Sequence, residues 1–283
     1  MKAASETQTS LVRTKFTDLI LGYFLKVPYV SRYAKTRGWA FILSWCHRIT
    51  GLLLVLYVWF HIATLSALSV PETYNAKMAL FSSPLIVFFE WLLAIPVIFH
   101  AANGGRLLLF ESYGYRDDHA MIRWLFVLSA AYVFLLAVLM LLGNQSVSSI
   151  FYWLSVFIIA VISGYAFWVR TRHLGHSPYW KFQRISGAFL LVMIPAHFLF
   201  MHLNPSMGKD SAVIIARMQN FFVKVVDFSI ILAVLYHGGY GLFSIGKDYI
   251  VSRLLQISII ALIVVVMVLS AWTGIKIIFI TTQ

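Results

Sequence analysis

Long apolar runs recur seven times along the chain, at about 41–66, 84–108, 122–143, 150–170, 183–203, 221–246 and 254–279. Each has roughly 20–26 residues, enough for a helix to cross a hydrocarbon layer of about 30 Å. Polar and charged residues collect between the runs, and GNQSVSS at 143–149 divides the third from the fourth as a short turn. The pattern predicts an all-α membrane protein with seven transmembrane helices. Ahead of the first span, LILGYFL is short and flanked by basic residues, so it does not read as a cleaved signal. Residues 10–35 suit either an amphipathic helix on a membrane or partner surface, or a solvated tail.

Composition fits this reading. The 283 residues are 61% hydrophobic and 11% charged, more apolar surface than a water-soluble domain of this length can hide. A net charge of +12 would suit nucleic acid if it formed one patch, but these charges lie between apolar runs, so no nucleic-acid partner is expected. Seventeen of the 22 Lys and Arg fall on the face that carries the N-terminus. The remainder are Lys77, Lys209, Arg217, Lys224 and Lys276. The positive-inside rule makes the richer face cytoplasmic, so a multi-pass protein of the cell inner membrane with its N-terminus inside is expected. The single Cys46 excludes an internal disulfide framework and a four-cysteine iron–sulfur cluster.

The chain also repeats itself. At a shift of 136 residues HRITG meets QRISG, so Arg48 falls on Arg184, Thr50 on Ser186, Gly51 on Gly187 and His61 on His197. At 137 residues Glu90 falls on Asp227, His100 on His237, Gly104 on Gly241 and Glu111 on Asp248. The matches involve rare residue types, not the hydrophobic ones that coincide in any two spans. They predict two parallel three-helix repeats joined by an extra helix, which returns the chain so that both copies run the same way. The expected divisions are an N-terminal cytoplasmic segment 1–38, a first repeat 39–145, a linking helix 146–172 and a second repeat 173–283.

Four intramembrane histidines thereby become two symmetric pairs. Buried ionisable groups are costly in lipid and mark function. Two neutral imidazoles facing each other across a helix bundle suit the axial positions of a haem iron, and two haem b are expected. His100 lies roughly 9 Å from the inner end of its span and His61 roughly 20 Å beyond Arg48. His100/His237 is thus the inner pair and His61/His197 the outer one. Gly104 and Gly241 follow their histidines by four residues, on the same helix face. They either make room for a porphyrin or pack spans closely. His202 competes with His197 only outside the repeat, while His119, His173 and His176 fall in basic inner loops as solvated or partner-facing residues.

SWCHRITG at 44–51 resembles the S-x-x-H-R-x-[ST]-G signature of the larger cytochrome b anchor subunit of succinate dehydrogenases. FHAANGGRLLLFE at 99–111 is similar to that subunit's second-span haem motif, with an acid 11 residues after the histidine. HGGYGLFSIGKDY at 237–249 resembles the equivalent stretch of the small anchor subunit. The likeness covers six of the seven spans, as if both subunits of the succinate dehydrogenase/fumarate reductase family were fused. It implies an anchor for a flavoprotein subunit and an iron–sulfur subunit on the cytoplasmic face, passing electrons to or from a quinone, menaquinone or ubiquinone. By the same likeness Ser44, Arg48 and Tyr249 bind quinone, with Asp248 nearby as a proton relay.

Alternatives remain at several positions. His47 and Arg48 also suit haem propionates, and Arg48 and Arg184 suit simple anchoring at the headgroups. Glu90 and Asp227, ten residues before the inner histidines, either relay protons or face outer water. Other di-haem cytochrome b anchors, of hydrogenases or formate dehydrogenases, form a rival class. A haemless transporter is a rival of a different kind, although no broken-helix Gly/Pro pair supports it.

Overall fold

A computed structural model describes residue 22 and residues 26–114, 118–142 and 149–279. Most of the expected surface helix at 10–35, the turn at 143–149 up to its last residue, and the side chain of His119 lie outside the described residues. The described residues are helical, in the order α1 (Pro28–Leu65), a 3-10 turn (Ser66–Ser69), α2 (Pro71–Phe81), α3 (Pro84–Tyr113), α4 (Asp118–Leu142), α5 (Ser149–Thr171), α6 (Pro178–Leu203), α7 (Ser206–Lys209), α8 (Ser211–Met218), α9 (Phe221–Tyr249) and α10 (Arg253–Ile278). Seven of these, α1, α3, α4, α5, α6, α9 and α10, are long and apolar enough to cross a membrane. The spans read from hydrophobicity match them within a few residues, except that α1 and α3 extend further into the polar flanks.

Local chemistry sets the helix ends. Proline occupies the first turn of α2, α3 and α6, where its missing N–H leaves no bond unmade. Side-chain caps start four helices: Ser177 accepts from the Trp180 amide, Asp210 from Ala212 and Val213, Asn220 from Phe222 and Val223, and Ser252 from Leu255. Gly114 ends α3 in the left-handed conformation, with φ of 64°.

The chain divides into two compact units, one up to Ile49 and one from Thr50 onward. In the first, Gly38 interrupts the helix with φ of 75°. One turn later the Phe41 ring lies tilted against Tyr33 and edge-on to Trp45, with the Arg37 guanidinium 4.9 Å from its ring centre. In the second unit α6 is the hub, packing against α3, α4, α5 and α9, while α9 also packs on α10.

The stretches linking the first and second spans, and the fifth and sixth, read as loops from sequence. They instead form α2, α7 and α8. These cap one end of the bundle, because Tyr74 on α2 is 1% exposed and donates its hydroxyl to the Gly208 carbonyl at 2.7 Å. The Ser211 amide donates to Asn75 Oδ1 at 3.1 Å, and Ile62, Leu68, Ile214, Met218 and Ile277 close the apolar core beneath.

Candidate functional site: two histidine pairs inside the bundle

α3 and α9 bring His100 and His237 together, with ring centres 6.2 Å apart and planes at 87°. The Nδ1 edge of each ring is turned toward another span. His237 Nδ1 lies 3.2 Å from the Gln183 carbonyl. A carbonyl can only accept, so Nδ1 carries the proton and Nε2 keeps a bare lone pair. His100 Nδ1 lies 3.3 Å from Thr50 Oγ1, a hydroxyl able to donate or accept, so this contact orients the ring without setting its tautomer. Glycine makes both approaches possible: a Cβ on Gly51 would sit 3.0 Å from His100 Cε1, and one on Gly187 would sit 3.1 Å from His237 Cε1. The two contacts are alike in residue type, atom and distance.

The second pair, His61 on α1 and His197 on α6, has ring centres 6.5 Å apart and planes at 84°. Its surroundings differ from one ring to the other. His61 stacks on Tyr57 of its own helix, at 5.6 Å and 20°. His197 packs against Trp153 of α5 at 5.9 Å, and its Nδ1 is buried with no hydrogen-bond partner among the described residues. His202 instead packs its ring on Phe198, 4.8 Å away.

The other residues singled out from sequence fall as follows. Ser44, His47 and Arg48 are half-buried in the first unit, and Asp248 and Tyr249 are exposed at the end of α9 in the second. Arg184 pairs with Glu111 through two hydrogen bonds of 2.6 and 2.8 Å, and its guanidinium lies over the Trp180 ring. Asp227 meets Arg217 at 3.8 Å, and Glu90 lies two turns into α3. Gly104 follows His100 by one turn on α3, and a Cβ on Gly241 would meet nothing within 4 Å, so the helix face beside His237 borders open space.

Sequence reasoning did not assign Tyr57, Gln183 or Trp153 to the histidines. Gln183 was not legible in this role because its contact is made by the backbone carbonyl, not by its side chain. Gly51 and Gly187 were visible as a match, but their purpose was not. Among the described residues, no group of three or more His, Cys, Asp or Glu could hold a metal ion unaided.

The sequence model of the succinate dehydrogenase/fumarate reductase transmembrane subunit family matches residues 30–139 and 176–275, which is most of the chain. The chain belongs to that family. Consistent with this membership, it is 39% identical over 83 residues to the succinate dehydrogenase 2 membrane subunit SdhC of Mycobacterium tuberculosis. That alignment takes in 28% of this chain and spans about three-fifths, 61%, of the relative. No solved structure matches the chain. The chain is thus a membrane subunit of the cytochrome b type in the succinate dehydrogenase/fumarate reductase family, with seven membrane-length helices.

Proposed function

We propose that this subunit is the di-haem b anchor of a succinate:quinone oxidoreductase, carrying electrons between a cytoplasmic iron–sulfur subunit and membrane quinone. The observation that carries the reading is the spacing of the two histidine pairs. An imidazole nitrogen binds a metal at about 2.0 Å and its ring centre lies about 1.1 Å behind, so two imidazoles on one ion have centres about 6.2 Å apart. Ring-centre separations of 6.2 and 6.5 Å support that arrangement, and any angle between the planes is compatible with it. The donor set fits as well: the Gln183 carbonyl holds the proton of His237 on Nδ1, leaving its Nε2 lone pair for a metal, and Thr50 Oγ1 orients the His100 ring.

Haem, when bound, supplies reversible one-electron chemistry at iron, tuned by its axial ligands and their hydrogen bonds. This chain's residues do the rest. His100 and His237 hold the inner group, His61 and His197 the outer one, and the apolar spans around them exclude water. Gly104 and Gly241 leave room along the helix faces. His47 and Arg48 offer hydrogen bonds and charge to propionates. For the quinone the support is likeness of sequence: Ser44 and Tyr249 are hydroxyl donors, Arg48 is a fixed cation for developing negative charge, and Asp248 is a carboxylate able to pass protons. Glu90 and Asp227 are the candidates for proton transfer toward the opposite face.

Two halves, 39–145 and 173–283, joined by the helix in 146–172, explain why the family match falls in two stretches and omits 140–175. The matched contacts Gly51–His100 and Gly187–His237 support the same division. With the N-terminus cytoplasmic, the flavoprotein and iron–sulfur subunits would dock on the face rich in Lys and Arg.

The test is a reduced-minus-oxidised spectrum of the purified complex, with haem counted per copy of this chain. Two b haems in the wild type, one in His61→Ala and one in His100→Ala are expected. One haem in the wild type removes the outer pair from the reading, and none removes the reading itself.

A further inference from the structure

The helix α5 lies along α6 and has, from sequence, only the topological job of returning the chain. Its side chains do more. Tyr152 of α5 donates its hydroxyl to the Ala196 carbonyl at 2.7 Å, and Tyr132 of α4 donates to the Pro195 carbonyl. These are the two residues immediately before His197. Trp153, the neighbour of Tyr152, is 3% exposed and packs on both His197 and Phe200, with ring centres 5.9 and 5.1 Å apart. Further along, Ser163 of α5 donates to the Ala188 carbonyl at 3.1 Å.

Pro195 lies inside α6, two residues before His197. It has no N–H for the Leu191 carbonyl, so the helix lacks one of its own hydrogen bonds in the turn before His197. His61, the repeat counterpart, follows Trp59 and Phe60 and has no such break. The two ligands of this pair are therefore held differently, one by an unbroken helix and one by phenols from two other spans.

We propose that Tyr132 and Tyr152 are positioning residues for His197, with Trp153 as the wall that fixes its ring, so that α5 tunes the group bound between His61 and His197. The inference rests on the di-haem reading above. Orientation of an axial imidazole and the polarity beside it act directly on the electronics of the metal it binds.

The experiment is a redox titration with electron paramagnetic resonance on the purified complex, comparing wild type with Tyr132→Phe, Tyr152→Phe and the double variant. His61→Ala, which should lose one haem, identifies which signal belongs to this pair. Expected are two haems per chain in each phenylalanine variant, a shifted midpoint potential and signal for the His61–His197 haem, and an unchanged His100–His237 haem. Trp153→Ala should move the same signal, and Trp153→Phe should restore it in part. If the double variant does not assemble, the single variants decide by the same readout. Two haems with both potentials and both signals unmoved would overturn the positioning role, as would equal shifts of both. A wild-type complex without haem would overturn the underlying reading and this inference with it.

Discussion

The ring of His100 lies so close to the backbone of Gly51 that a Cβ there would stand 3.0 Å from Cε1, and Gly187 holds His237 at 3.1 Å in the same way. Both distances are tighter than nine in ten real Cβ contacts, so the neighbour must give by a few tenths of an ångström, and here the neighbour is an imidazole packed between spans. Gly51→Ala and Gly187→Ala should therefore displace the His100–His237 pair and leave the other pair alone. The expected result is weakened retention of one haem, falling toward one per chain in the double variant. Haem quantification on the purified complex measures it, and retention of both haems with unshifted spectra would contradict it.

Both ring pairs stand nearly perpendicular, at 87° and 84°. Were each pair to hold a haem iron as proposed, imidazole planes crossed in this way would leave the iron orbitals nearly equal in energy. Strongly anisotropic low-spin ferric signals are expected from both haems in frozen-solution electron paramagnetic resonance. An ordinary rhombic signal from either haem would mean that its ligand planes are closer to parallel.

Arg184 and Glu111 tie α6 to α3 by a two-pronged ion pair whose side chains are 25% and 27% exposed. Partial solvent access limits its worth to about 0.5–1 kcal/mol despite the good geometry. A double-mutant cycle with Arg184→Gln and Glu111→Gln should return a coupling of that size, shrinking as salt is raised. A coupling of several kcal/mol would show that the pair belongs to a larger buried network.

Tyr74 gives the helical cap a pH dependence. Burial pushes its phenol up to about 12, against the opposing pull of the Arg217 charge, whereas an unfolded tyrosine titrates near 10. The unfolded form loses its proton first, so the stabilisation is complete below about pH 10 and is lost as pH rises from there toward 12. Hydrogen exchange in 71–81 and 206–218 should accelerate over that window. Tyr74→Phe should weaken the cap by about 1 kcal/mol at neutral pH, since the Gly208 carbonyl loses its donor, and should flatten the alkaline change. An unaltered exchange profile would remove Tyr74 from this role.

The seven spans were legible because lipid imposes a simple rule: a crossing helix needs an unbroken run of apolar residues, whatever its neighbours are. The pairing of His100 with His237 and of His61 with His197 was legible for a different reason. Histidines are scarce in apolar spans, so their recurrence at a fixed shift stood out. The helices α2, α7 and α8 were not legible, because each is short and owes its place to Tyr74, Asn75 and the apolar core beneath them. Short helices draw their stability from packing partners, not from their own sequence.

The sequence by itself therefore determined the number and limits of the spans, the family, and which histidines belong together. Those properties depend on side-chain type and spacing along one chain. Only the tertiary structure decided what surrounds each imidazole: Gln183 through its backbone carbonyl, Gly51 and Gly187 through the absence of a side chain, and Trp153, Tyr132 and Tyr152 from spans distant in sequence. A backbone carbonyl has no residue identity to read, and which face of one helix meets which face of another is set by packing across the whole bundle. The environment of the two pairs, and so the difference between His61 and His197, belongs to the fold.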